Sequence, residues 1–431
     1  MKKVLIITYY WPPMGGGGAQ RWLKTVKYLQ GYGWEPVIFT TKNGEASVVD
    51  EGMLKQIPKG IETIKVAIWE PFGLYKKLTG KKKGEKLTPG TVSEEESSFM
   101  QKLSVWVRGN LFIPDARKFW IKPASKYLNS YLKNNKIDAI VSTGPPHTTH
   151  MIALNVARKN NIPWLADFRD PWTNIDFYDK LKLTNWADAK HKRLEQRVLN
   201  DANQVVTVSW SWAEDFYRIS DRMPMVITNG YDPEDFVKAG TLTLDKKFTI
   251  THAGSLNDDR NPHSLWKALS GLCKDAAFKN DLEIKFIGQV SSTAINELTE
   301  AGLANNLNEI DNLPHKKVVN ELMKSQVLLL PLNDTPNING VVPGKLYEYI
   351  GAKRPIICIG KTDGDAAKIV NETFAGKVSG FEDVEILKET ILDYYKEYKK
   401  NTLTIDSKDY EKYSRNLLAG QIAEELNKII D

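Results

Sequence analysis

The chain reads as an α/β protein of two parallel-sheet domains, and three observations predict this. Its 431 residues are too many for one hydrophobic core, so two domains of roughly 200 residues are expected. Short continuous apolar runs, the pattern of strands buried on both faces, alternate with segments whose apolar residues recur at helical spacing. That alternation fills residues 1–232, lapses in the polar stretch 233–247 (PEDFVKAGTLTLDKK), and restarts with FTITHAGSL at residue 248. Residues 1–232 are thus the expected first domain, 233–247 the linker and 248–409 the second domain. The segment 410–431 is a helix candidate that crosses back onto the first domain.

The elements follow in order. Residues 4–7 are a buried-strand pattern leading into YYWPPMGGGG, then a helix with Ala19, Trp22, Leu23, Val26 and Leu29 on one face and Gly31 and Gly33 at its end. A strand–loop–helix unit in a parallel sheet puts its loop at the carboxyl end of the strand, where open α/β sheets bind ligands. Gly16, Gly17 and Gly18 would let backbone approach a phosphate, with Arg21 adding charge; a plain mobile loop would look the same. The GxGxxG dinucleotide fingerprint is not met, because Gln20 occupies its third glycine position.

A second strand is expected over residues 36–41. Residues 72–90 are lysine-rich, and residues 98–123 interleave aromatics such as Phe99, Trp106, Phe112 and Trp120 with Lys102, Arg108, Arg117 and Lys118. This composition suits either contact with anionic lipid or a helix packed into its own domain. Further strands are expected at 139–143, 163–168, 205–209 and 225–228, with STGPPHTTH, DFRDPW, VSWS and TNGYD at their carboxyl ends. His147 and Asp170 are the ionisable groups placed nearest an acceptor hydroxyl, to orient it or take its proton. The alternatives are a loop histidine without a task and aspartates that brace the loop through Arg169. Glu195 and Arg197 are read as bracing.

In the second domain a strand starting at 248 leads to Asn257–Pro262, which holds Arg260, and a strand is expected at 282–288. A helix over 314–325 and a strand over 327–332 precede VVPGKLYEYIGAKRPIICIG, residues 341–360. There a helix opens near Gly344, and Pro355 introduces a buried strand. Lys345 lies in the first helical turn, where free N–H groups and the helix dipole favour an anion. Glu348 follows one turn later on nearly the same face. A phosphate and a vicinal diol would suit this pair, although a solvated surface pair has the same spacing. Asp363 and Asp365 have DxD spacing and are read as a turn.

Composition narrows the class. With 42% hydrophobic and 26% charged residues the chain is an ordinary soluble globular type, and its net charge of +6 is compatible with nucleotide phosphates, anionic lipid or nucleic acid without selecting one. No RNP-like, KH-like or helix–turn–helix pattern accompanies the basic residues, so a nucleic-acid partner is not expected. Two separated cysteines, Cys273 and Cys358, suggest neither disulfide nor metal site, and six histidines without HExxH spacing leave no metal expected. No apolar run approaches 18 residues, so any membrane contact would be peripheral.

The glycine loop, DFRDPW, THAGS and PGKLYEY, in this order and spacing, resemble GT-B glycosyltransferases, in particular the large retaining family four, in which P-x-K-x-x-E-Y recurs. The resemblance covers essentially the whole chain. It implies two Rossmann-like domains with parallel sheets facing across an interdomain cleft. A nucleotide-sugar would bind the second domain through Arg260, Lys345, Leu346 and Glu348, opposite Gly16, Gly17 and Gly18. His147, Asp170 and Lys345 would be the catalytic set. One departure stands out: Gly340 occupies the position, eight before Glu348, where that family carries a first Glu. The implied activity is metal-independent sugar transfer, with retention, to a lipid-linked or polysaccharide acceptor in lipopolysaccharide, capsule or exopolysaccharide synthesis. The implied location is the cytoplasm, peripheral on the inner face of the plasma membrane. The competing readings are a sugar-nucleotide epimerase or hydrolase of the same architecture and a degenerate member that binds sugar nucleotide or scaffolds polysaccharide enzymes.

Overall fold

The computed structural model describes residues 1–46, 48–70, 99–236 and 242–431. The lysine-rich residues 72–90, and residues 237–241 of the expected linker, lie outside them. The chain divides into two compact units, Met1–Thr228 with Asn416–Asp431, and Asn229–Arg415.

The first unit is built on seven strands: β1 Lys2–Ile7, β2 Trp34–Thr41, β3 Glu62–Val66, β4 Ala139–Gly144, β5 Trp164–Phe168, β6 Gln204–Thr207 and β7 Met225–Val226. All pairings are parallel, in the order β3-β2-β1-β4-β5-β6-β7, with Ile6 opposite both Ile38 and Val141. Central β1 is apolar through Val4–Ile7 because helices cover both faces of a doubly wound sheet. The helix Gly17–Leu29 buries Ala19, Trp22, Leu23, Val26 and Leu29 as its 3.6-residue period requires, and Gly33, at φ +84°, turns the chain out of the following 3-10 turn. The last helix, Arg415–Ile430, places Leu418, Ile422, Ala423 and Leu426 in the same core as Trp22 and Trp34.

The second unit holds β8 Phe248–Ala253, β9 Leu282–Ile287, β10 Leu307–Ile310, β11 Val327–Pro331, β12 Ile356–Ile359 and β13 Gly376–Ser379. They form a parallel sheet in the order β10-β9-β8-β11-β12-β13, with Phe248, Ile250, Trp266 and Leu329 in its core. Strands β3, β10 and β13 are absent from the sequence-based expectation. Each is short and lies at or near a sheet edge, where polar residues replace the apolar run that signals a central strand. In each sheet the order reverses between the first strand in the chain and the fourth, at β1/β4 and β8/β11. Loops leaving the carboxyl ends of those strands diverge there and leave a crevice.

Candidate active site

At the β8/β11 reversal, buried His252 lies near the end of β8. Its Nδ1 is 3.0 Å from the Leu329 carbonyl oxygen of β11, which assigns the ring proton to Nδ1. Nε2 is then left with its lone pair, and the Lys345 ammonium donates to it across 3.3 Å. Lys345 stands in the first turn of the helix Gly344–Ala352. The Tyr349 hydroxyl, one turn further along that helix, accepts the Ala253 N–H at 3.0 Å and ties the helix to the end of β8. Gly254 follows at φ +102°, and a Cβ there would lie 3.0 Å from Lys345 Nζ, so glycine provides the room the ammonium occupies. Arg260 donates through Nε to Asn333 Oδ1 at 2.9 Å and through Nη1 to the Ser255 carbonyl at 3.2 Å, bridging the loops after β8 and β11.

These cations raise each other's cost. Burial, and then the Arg260 charge, pull the Lys345 ammonium down to about 7, against a smaller opposite effect of Glu348. Burial and the two cations hold His252 well below its ordinary value, so it is neutral and remains an acceptor. Neither Lys345 nor Arg260 has a carboxylate within ion-pair distance among the described residues; Glu348 instead pairs with His315, Oε1 to Nε2 at 3.0 Å. Leu346 points into the core, and its N–H is bonded to the Pro343 carbonyl at 3.0 Å, so the only part of it near the helix start is backbone already engaged. Gly340 is buried in the preceding turn and contributes no carboxylate.

In the first unit, Gly16 adopts φ +93° and Gly17 opens the helix. A Cβ on Gly18 would fall 2.1 Å from Arg169 Nη1, so it is Arg169 that closes on the glycine loop. That guanidinium is anchored by Thr143 Oγ1 at 2.8 Å and by the Pro145 carbonyl. Arg21 points the other way. It is buried, pairs with Asp167 at 3.0 Å and donates to the carbonyls of Ile227 and Thr228. Asp167 also accepts from Trp22 Nε1 at 2.7 Å and Thr143 Oγ1 at 2.8 Å. Burial alone would raise its carboxyl, but the Arg21 charge and these donors hold it below the usual range. The brace expected from Arg169 is thus supplied to Asp167 chiefly by Arg21.

His147 stacks on Trp172, ring centroids 4.5 Å apart and 4° from parallel, and its Nδ1 has no hydrogen-bond partner among the described residues. Burial, with the neighbouring His150 and His191, keeps it neutral. Trp172 is itself held: its Nε1 donates to His191 Nδ1 at 3.0 Å, and its N–H donates to Glu195 at 3.2 Å. Both partners lie on the helix Asn185–Asp201, so Glu195 braces the DFRDPW loop, whereas Arg197 pairs with Asp201 on the surface. Asp170 is half-buried, and burial pushes its carboxyl up despite the charge of Arg169. Asp363 is exposed and 3.8 Å from Lys361, while Asp365 is buried in the first turn of a helix. Among the described residues no three His, Cys, Asp or Glu side chains converge as a metal site, and no helix is long and apolar enough to cross a membrane.

Sequence reasoning missed His252, His191, His315 and Asn333. A histidine inside an otherwise buried strand, two residues before a glycine, was a usable signal for His252; the others gain meaning only from distant partners.

Residues 233–416 match the family model described as glycosyl transferases group 1. No curated protein matches the chain. Among solved structures, sucrose-phosphate synthase from Thermosynechococcus elongatus is 13% identical with a TM-score of 0.58, the match covering 100% of this chain and 95% of that one. WaaG, a glycosyltransferase involved in lipopolysaccharide biosynthesis, is 12% identical with a TM-score of 0.54, covering 99% and 97%. An α,α-trehalose-phosphate synthase (UDP-forming) from Burkholderia xenovorans, in complex with glucose-6-phosphate, is 10% identical with a TM-score of 0.59, covering 99% and 100%.

Proposed function

We propose that this chain, whose two Rossmann-like parallel-sheet domains are of the GT-B type, transfers a sugar from a nucleotide-sugar to a hydroxyl acceptor. The observation that carries the reading is the pair Lys345 and Arg260, two part-buried cations without a carboxylate partner at the β8/β11 reversal. Buried charge without a counterion is costly, and a diphosphate is the anion whose size and charge would offset both. In transfer the bond from the anomeric carbon to the diphosphate oxygen breaks, the acceptor oxygen forms its bond to that carbon, and the hydroxyl proton leaves to a nearby oxygen. Lys345 and Arg260 would take up the charge that develops on the departing diphosphate, which assigns to fixed side chains the work of a divalent metal. Glu348 would meet the ribose hydroxyls, and Gly16, Gly17 and Gly18 are the first unit's candidate donor contacts, where backbone could approach a phosphate. Asp170, whose raised carboxyl is suited to holding or passing a proton, and neutral His147 are the acceptor-side groups. A hexose donor, retention at the anomeric carbon, and a lipid-linked or polysaccharide acceptor in the cytoplasm complete the proposal.

Thermal unfolding against UDP-, GDP-, ADP- and dTDP-sugars, with and without EDTA, tests it. A ligand at ~100 times its dissociation constant adds ~2.7 kcal/mol, so the true donor should raise the melting temperature by a few degrees, EDTA notwithstanding. Lys345→Ala should abolish that shift and lower turnover by roughly 10²–10³-fold with the fold intact; wild-type turnover in this variant would remove the phosphate assignment. Gly340, in place of a carboxylate, favours one second reading: a protein that binds sugar nucleotide without transferring it, which would show the shift and no turnover with any acceptor.

A further inference from the structure

Within the first unit an aromatic and basic surface is assembled from three separated pieces of chain. Trp69 and Trp186 are 59% and 63% exposed, unusual for the largest apolar side chain in water. Trp69 meets Phe119 edge to face at 4.8 Å, and Phe119 meets Phe112 at 5.9 Å. Lys118 Nζ lies 5.2 Å from the Phe119 ring centroid and 5.5 Å from that of Phe112, and Lys190 Nζ lies 4.7 Å from that of Trp186. Lys118 Nζ donates to the Leu111 carbonyl at 2.6 Å, and His191, next to Lys190, lies with Nε2 3.3 Å from the Gly109 carbonyl, so both lysines flank the same stretch of chain, and neither has a carboxylate within ion-pair distance among the described residues. Rings offering an apolar edge, set among uncompensated ammoniums, match the headgroup layer of an anionic bilayer: aromatics seat at the interface and lysines reach lipid phosphates.

The position of this surface is as informative as its composition. Asp115, three residues before Lys118, accepts the Thr148 N–H and hydroxyl, each at 2.8 Å, and so caps the helix that follows His147. The helix carrying Trp186 and Lys190 is the one whose His191 and Glu195 hold Trp172. We infer that the surface formed by Trp69, Phe112, Lys118, Phe119, Trp186 and Lys190 docks on an anionic lipid bilayer, beside the loops of His147 and Asp170. The lipid contact stands without any assigned chemistry; that it delivers a membrane-anchored acceptor rests on the proposed transfer.

Flotation of the full chain, free of nucleotide, with phosphatidylcholine vesicles with or without phosphatidylglycerol, tests the contact. Binding should require phosphatidylglycerol and fall at high salt. It should drop roughly tenfold or more in the double variant Lys118→Glu, Lys190→Glu, as two reversed charges near the surface require. The double variant Trp69→Ser, Trp186→Ser should also weaken it. The variants should stay folded, with at most a small fall in melting temperature, because the tryptophans are mostly exposed, the lysines make no ion pair, and the substitutions remove only the Lys118 bond to the Leu111 carbonyl and the Trp69 contact with Phe119. Absence of binding, equal binding to pure phosphatidylcholine, or wild-type binding by folded variants overturns the inference. So does self-association of the chain that the same substitutions abolish, which would name a second copy as the occupant. The nucleotide-induced melting shift, read on the same samples, reports the donor site separately: a chain that floats without that shift keeps this inference and loses the transferase reading, and the reverse outcome does the opposite.

Discussion

Lys345 combines two roles that the sequence could not weigh against each other. Spacing put it in the first turn of a helix, but its contact is His252, ninety-three residues away in the chain, and not Glu348, one turn along. The consequence is a dependence on pH. Its ammonium titrates near 7 in the protein against an ordinary 10.5, so between those values the folded chain holds fewer protons than the unfolded chain. The group therefore favours the folded state more as pH rises through that window, and its buried charge is a liability below it. An anion bound beside it favours the charged form and reverses the effect. Binding of a nucleoside diphosphate should therefore take up a proton above about pH 7 and weaken as pH rises further; calorimetry in buffers of different ionisation enthalpy would show both effects vanish in Lys345→Met. Arg21 teaches the opposite lesson: a basic residue in a glycine-loop helix looked like phosphate chemistry, and its burial against Asp167 makes it part of the core.

At the scale of elements, the loops after β8 and β1 use glycine for different reasons. Gly254 combines a left-handed backbone with contact to Lys345, whereas Gly18 has ordinary backbone and makes room for Arg169. Gly254→Ala would strain the turn by ~1 kcal/mol and drive a Cβ into the ammonium. It should weaken nucleoside diphosphate binding about tenfold while most of the stability survives, as titration calorimetry and denaturant unfolding together would report. Affinity equal to wild type would mean that the ammonium does not meet the diphosphate from this position. Glu195 was read from the sequence as a bracing residue, yet that it and its helix Asn185–Asp201 support the DFRDPW loop was not legible, because Trp172 finds His191 and Glu195 only after the chain has turned back on itself.

At the scale of the molecule, the chain's last helix belongs to its first core. Leu418, Ile422, Ala423 and Leu426 are nearly fully buried among Trp22, Leu29 and Trp34. Removing residues 416–431 should cost on the order of 5 kcal/mol, the burial of three large aliphatic side chains, with a corresponding fall in the urea midpoint of the first unit. An unchanged midpoint would show that this helix is an accessory to the core.

The sequence by itself determined the class of fold, because strands buried on both faces and helices with one apolar stripe leave periodic patterns that need no partner to be read. It also determined where the loops at the carboxyl ends of the strands start, since a parallel strand followed by glycine and then a helix has one geometrical outcome. It pointed to Lys345 and Arg260 as charges but not to their surroundings. Only the tertiary structure decided which cations lie without a counterion and which are spent in the core, and that His252 aims one of them. Only it gathered Trp69, Phe119 and Trp186 onto one surface. Those facts depend on contacts between residues tens to hundreds of positions apart, and local periodicity carries no record of them.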